Sequence, residues 1–520
     1  MVWPTGASGR YPCYRPGRPG LDFFGLDLAG RWSAPGLVGR VRPRRNGGDV
    51  NTYRVLIPPQ RSRAHRAGRL EWWLAGCVAL ALISLAAPSV PNSDPWGWII
   101  WGRQLDHFEL VTAGYPSWKP LPGGVSAVLG LFGVAPGGWL VVVRAAGLAV
   151  LVLAYRMAAR HGGRVAGVVA VVGIVLFPQW WRFLAHGTSE PLLIALMLGA
   201  VEAHGSGRRR LALACGLLAG LLRPEVWPFV LAYAILLRPA TARRRVAVGF
   251  ALLVLPVLWF VPDWISSGDP FHGAGLARHS AEALATQAAG QPVLEALRRG
   301  SELTVLPVEL LALLAAVVAW GRGERRVLGL LALALCWLVL VLVLTAFGYA
   351  GIARFLEPAA ALVCVLGGIG AAWLLDAARR VRAAPLVVGA LLLAALAPSA
   401  LARGRDAIGD VRDADAQAGI QRDLRETVAR LGGASGVLAR GHPFATPSWQ
   451  TALAWEIGAS TDEVGSLRLP AVVFRAPVPP FPDLDSWTQP GPGKFPLQVT
   501  PVLHYRGWDV LVLSAPPVLR

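Results

Sequence analysis

Apolar runs close to 20 residues long recur between residues 70 and 401 of this 520-residue chain, and they restrict its fold more than any other feature. A helix rises 1.5 Å per residue, so about 20 apolar residues cross the roughly 30 Å hydrocarbon layer of a bilayer. Within that layer only helices or closed barrels satisfy every backbone amide and carbonyl. Residues are 54% hydrophobic and 16% charged, whereas about a quarter are charged in ordinary soluble domains. The fold class that follows is an α-helical polytopic membrane protein.

The runs suggest about eleven spans, near 70–90, 139–157, 165–181, 191–203, 211–222, 226–237, 246–261, 303–320, 327–347, 355–375 and 386–401. A weaker stretch at 121–134 is short and rich in Gly, as in a re-entrant or interfacial segment. With this count, the clusters at Arg61–Arg69, Arg156–Arg164, Arg208–Arg210, Arg243–Arg245, Arg322–Arg326 and Arg379–Arg382 all fall on one side. The positive-inside bias makes that side cytoplasmic, with the N-terminus on it and the C-terminal region outside the plasma membrane. The net charge of +19 therefore reports orientation. No contiguous basic face of the kind nucleic acid requires is present, so nucleic acid is not an expected partner. The five cysteines contain no CxxC pair, which argues against a disulfide framework or thiolate metal site.

Three regions follow. Residues 1–68 form a cytoplasmic tail rich in Arg, Gly and Pro, expected to be disordered or to reflect a start codon placed too far upstream. Residues 69–402 form the membrane domain, with a first outer loop at 90–123. Residues 403–520 lack a span and read as a small extracytoplasmic α/β domain, with a helix at 413–431 and β-like runs at 436–438, 471–474 and 509–513.

Ionisable residues near membrane depth are costly and need a reason. On the expected outer side they form five groups: Asp94 with Arg103, Asp106, His107 and Glu109; Lys119 beside Trp118; His186 with Glu190; Arg223 with Glu225; and Arg354 with Glu357. Each has a plain structural reading. Arg103, Asp106 and His107 fit one face of an amphipathic helix at the outer leaflet, and Asp94 before Pro95 fits a helix N-cap. The neighbouring tryptophans fit an aromatic interfacial belt. Glu190 before Pro191 fits a helix start, Arg223 fits a local pair with Glu225, and Arg354 fits a snorkelling cation. Lys119 stands out because the chain has only two lysines amid many arginines, a bias typical of a GC-rich genome.

Taken together, carboxylates and cations on one face suit a lipid-phosphate substrate: guanidinium groups recognise phosphate and an aspartate can take a proton. Asp94-Pro95-Trp96, Trp118-Lys119-Pro120-Leu121-Pro122, Ser189-Glu190-Pro191, Leu222-Arg223-Pro224-Glu225 and Arg354-Phe355-Leu356-Glu357-Pro358 resemble motifs of the GT-C class of membrane glycosyltransferases, in an actinobacterial-looking member. The resemblance covers about residues 70–402. It implies transfer of a sugar, mannose favoured, from a polyprenyl-phosphate donor to an envelope lipid, glycan or protein acceptor. It also implies Asp94 as general base or metal contact, and donor-phosphate binding by Arg354, with Lys119 and Arg223 as further cations. Arg103, Asp106, His107, Trp118, His186, Glu190 and Glu225 are the remaining substrate-site candidates. Many members carry Asp-x-Asp or Glu-x-Asp, whereas position 92 is Asn; a divalent cation, Mg2+ or Mn2+, would then need Asp106 or Glu190 beside Asp94. A transporter or flippase of lipid-linked sugars would use similar cations, and a noncatalytic envelope assembly protein would use the C-terminal domain.

Overall fold

The structure is a computed structural model that describes residues 63–237, 241–380, 384–478 and 497–515. The expectation for the N-terminal tail lies outside the described residues up to residue 62. The fold is that of a helical polytopic membrane protein with a small C-terminal α/β domain. Among the described residues, five helices are long and apolar enough to cross a membrane: Ala135–Val175, Ala242–Ser267, Arg325–Ala346, Glu357–Ala378 and Ala384–Arg430. Two bent pairs, Trp180–His186 with Glu190–Gly205 and Pro292–Ser301 with Leu306–Arg322, raise the number to seven if each is one span.

The difference from eleven has identifiable causes. Ala135–Val175 is one helical stretch 41 residues long, interrupted at Gly163 with φ 70° and ψ −163°. A Cβ on Gly167 would collide with the Tyr155 ring. Twelve residues of straight helix separate two positions by about 18 Å, so this contact requires the chain to fold back at Gly163. The stretch is a hairpin whose two arms match the expected runs at 139–157 and 165–181. Two other expected spans are helices shorter than a crossing, Arg209–Leu222 and Pro224–Leu237, whereas the first expected span lies in the 22-residue helix Arg63–Ser84.

Glu357–Ala378 is the most enclosed of the five long helices. Gly368 lies against the Ala166 carbonyl and Gly370 against the Leu311 carbonyl, so any side chain there would strike backbone. Small residues let helices approach this closely in a membrane, where dispersion replaces the hydrophobic effect as the packing force.

The C-terminal sheet comprises β1 (His442–Ala445), β2 (Ala471–Arg475), β3 (Gln498–Tyr505) and β4 (Trp508–Ser514), in the order β1-β2-β4-β3. β1 pairs parallel with β2, and the other pairs are antiparallel. One local expectation changes: residues 436–438 lie in the helix Gly433–Leu438, not in a strand. The helix Ala384–Arg430 runs without a break from the last apolar segment into the domain. Farther along it, Leu424 and Val428, one turn apart, join the core of the domain, and Gln421 donates to Glu456 at 3.1 Å.

Ser93–Asp106 joins the two halves. Eight consecutive residues, Pro95–Gly102, are buried, so this helix is enclosed on every face. Trp96 packs on Trp455 at 5.3 Å, Trp98 edge-on to Trp139 at 5.3 Å, and Trp101 edge-on to Trp118 at 5.1 Å. The indoles expected as an interfacial belt are instead the core between membrane bundle and C-terminal domain. Each buries a large apolar area there.

Candidate active site

The site starts at the N-terminus of Ser93–Asp106. Its N-cap is Asn92, in extended backbone, and Asp94 lies in the first turn without capping it. The strand-like entry is fixed by Val90 N–H donating to Ala185 O at 3.2 Å and Asn92 N–H donating to His186 O at 3.2 Å. His186 Nδ1 lies 3.0 Å from Val90 O, which assigns this buried ring to holding the entry. Freed from capping, the Asp94 carboxylate accepts a hydrogen bond from the Tyr115 hydroxyl at 2.8 Å and lies 4.0 Å from the Arg354 guanidinium. Both partners keep some exposure, 20% for Asp94 and 34% for Arg354, so a substrate can reach them.

Lys119 occupies the N-cap position of the short apolar helix Pro120–Leu131. Its ammonium lies 3.4 Å from the Ser189 hydroxyl and 4.7 Å from the centre of the Trp98 ring. Burial first, and then the Arg223 charge, lower its pKa to about 8, while Asp94 and Glu190 act in the opposite direction. The ammonium is therefore weakly solvated and ready to meet an anion.

Behind it, Arg223 lies in the break between Arg209–Leu222 and Pro224–Leu237, where Pro224 prevents helix continuation. Its guanidinium is 2.8 Å from Glu190 and 3.7 Å from Glu225, and all three are buried. Tyr349 donates to Glu225 at 2.5 Å and stacks on Phe355 at 4.8 Å; Arg223 covers the same Phe355 ring at 4.4 Å. This network ties the broken helix to the segment carrying Arg354. Removing one partner of a buried pair leaves the other charge uncompensated and costs about 3–5 kcal/mol. Arg223→Ala is expected to lower the thermal midpoint of the purified protein markedly, whereas Arg223→Lys restores charge without the fork and recovers only part of it.

Asp94, Lys119, Glu190, Arg223, Glu225 and Arg354 thus meet at one end of the bundle. At the other end of the Glu190–Gly205 helix, about 18 Å away by its rise, Glu202 pairs with Arg160 and, at 3.2 Å, with Arg156. The arginine-rich end is opposite the site.

The other candidates lie elsewhere. Arg103 donates to Ala459 O at 2.8 Å and covers Trp455 at 5.2 Å, so it fastens the C-terminal domain. Asp106 packs over Gly130, and His107 is the exposed C-cap of its helix. Trp118 donates to Leu258 O at 2.8 Å and has a structural part. Among the described residues, no three His, Cys, Asp or Glu side chains are grouped to hold a metal ion. Asp94, Asp106 and Glu190 are not gathered, Glu190 is ion-paired to Arg223, and Asp94 faces a guanidinium. These residues do not fit a divalent cation.

Tyr115 and Tyr349 were not legible as site residues. Both lie in glycine-bearing turns, Gly114-Tyr115-Pro116 and Gly348-Tyr349-Ala350-Gly351, next to segments that were. An aromatic hydroxyl beside an acidic motif was the available signal.

No protein-family model matches the chain, and no curated protein matches it. Among solved structures it is similar to ArnT from Cupriavidus metallidurans in the apo state, at 15% identity and a TM-score of 0.49, over 87% of this chain and 100% of that one. The same protein bound to undecaprenyl phosphate matches at 13% identity and a TM-score of 0.46, over 86% and 99%. The oligosaccharyltransferase AglB from Archaeoglobus fulgidus, in complex with an inhibitory peptide and a dolichol-phosphate, matches at 13% and 0.37, over 66% of this chain and 56% of that one.

Proposed function

We propose that the chain is an inverting glycosyltransferase of the GT-C type. It would move a sugar, with mannose favoured, from a polyprenyl-phosphate donor to an envelope lipid, glycan or protein acceptor. The observation that carries this reading is Asp94 facing Arg354 across 4.0 Å, with both accessible and Lys119 alongside. An acceptor hydroxyl gives its proton to Asp94 as its oxygen attacks the anomeric carbon. The bond from that carbon to the phosphate oxygen breaks on the opposite face, so one displacement inverts the centre. The departing lipid phosphate takes the electron pair, and Arg354 and Lys119 neutralise it. Tyr115 orients the base through its 2.8 Å hydrogen bond. Arg223 is occupied by two carboxylates and has the part of shaping the wall that presents Arg354. The arginine distribution supports a site on the extracytoplasmic face, where lipid-linked sugars without nucleotide are the available donors.

Mass spectrometry of envelope glycans and lipids from a deletion strain tests the reading. One sugar is expected to disappear from one acceptor while its polyprenyl-phosphate form accumulates. An unchanged glycan and lipid profile would contradict it.

A further inference from the structure

The segment between Ala242–Ser267 and Leu306–Arg322 folds into three short helices, His272–Arg278, Ala281–Ala288 and Pro292–Ser301. It touches both of the loops that supply the site. At its start, Asp263 is buried on the last turns of Ala242–Ser267. One carboxylate oxygen accepts from the Thr112 hydroxyl at 2.6 Å and the other from the Gly273 amide at 2.9 Å. The Ser266 hydroxyl accepts from the amides of Thr112 at 2.7 Å and Ala113 at 3.1 Å, and Ser117 donates to Gly273 O at 2.8 Å. These bonds fix the stretch that carries Tyr115 to Asp94 and ends at Lys119. Further along, Gln287 donates to Tyr349 O at 3.1 Å and Thr345 O at 3.3 Å, the root of the loop bearing Arg354.

We propose that Asp263 and Gln287 are positioning residues: through one segment they hold the Tyr115–Lys119 loop and the Arg354 loop at the separation that lets base and phosphate cations act on one substrate. The proposal rests on the transferase reading. A buried carboxylate is costly unless its oxygens are satisfied, and Asp263 spends both on donors from two different segments. An asparagine there accepts through one oxygen and turns an N–H₂ toward a second donor. A shift of about 1 Å in a reacting group can cost 100-fold in rate.

The test uses the full chain in lipid nanodiscs, with polyprenyl-phosphate mannose as donor and native membranes from the deletion strain as acceptor. Asp263→Asn and Thr112→Val are each expected to lower kcat roughly 10- to 100-fold. Their double variant is expected to be no worse than the poorer single, and Thr112→Ser is expected to retain activity. Hydrogen exchange of the 111–117 amides should accelerate in Asp263→Asn, and that of 345–352 in Gln287→Ala, each leaving the other peptide unchanged. Wild type that converts donor while Asp263→Asn does so equally fast, with unchanged exchange, overturns the positioning role alone. Wild type that converts neither this donor nor the polyprenyl-phosphate sugars extracted from the deletion strain removes the transferase reading and the proposal with it.

Discussion

Asp94→Asn is expected to lower the rate of sugar transfer by about 10²–10⁴-fold, the range lost when a positioned general base is removed. The substitution keeps the shape and can still accept from Tyr115, whose hydroxyl lies 2.8 Å from the carboxylate. It cannot take a proton from an acceptor hydroxyl. Asp94 does not cap its helix, so stability should change little, and the thermal midpoint separates lost chemistry from lost folding. Donor binding should persist because the cations remain. Steady-state kinetics would then show a fall in kcat with the donor KM nearly constant.

The second large effect is expected at Arg354. Arg354→Ala removes the cation placed against the departing phosphate, and loss of one such preorganised donor typically costs about 10²–10³ in kcat. Arg354→Lys should recover only part of this, since an ammonium cannot bind two phosphate oxygens through a planar fork. Loss of the 4.0 Å partner should also leave Asp94 a poorer match for an anionic donor, so the donor KM rises. Product inhibition by polyprenyl phosphate provides a second check, because it should weaken in parallel with the fall in kcat.

The sequence made the class of fold legible because a bilayer tolerates few solutions, and the length of an apolar run is a direct measure of it. The number of crossings was less so. Runs 211–222 and 226–237 are helices broken at Arg223-Pro224, and apolar length alone does not distinguish a broken element from two crossings. The two arms meeting at Gly163 were separable by their arginines even though the helix reads as continuous. Among site residues, the charges in membrane-depth motifs were found because burial of an ion needs compensation; Glu190, Arg223 and Glu225 compensate one another. Arg103 and Asp106 shared the signal but not the place, because helical spacing fixes a face and not what that face meets. The C-terminal domain's seat on Trp96 was hidden for the same reason: a tryptophan suits a lipid boundary and a protein core equally well. In the domain itself, β1 has only four residues and β3 contains Pro501 at the sheet edge, so neither carried a strong alternation.

In the proposed reaction the Asp94–Arg354 site cleaves a lipid-linked sugar and does not merely move it. Wild-type and Asp94→Asn protein should be reconstituted in vesicles holding polyprenyl-phosphate mannose labelled in the sugar, with native acceptor membranes. Wild type is expected to convert the labelled lipid to a glycosylated acceptor and free polyprenyl phosphate, while normally inserted Asp94→Asn leaves the donor intact. Label that crosses the bilayer on an unchanged lipid, or equal conversion by Asp94→Asn, would contradict it.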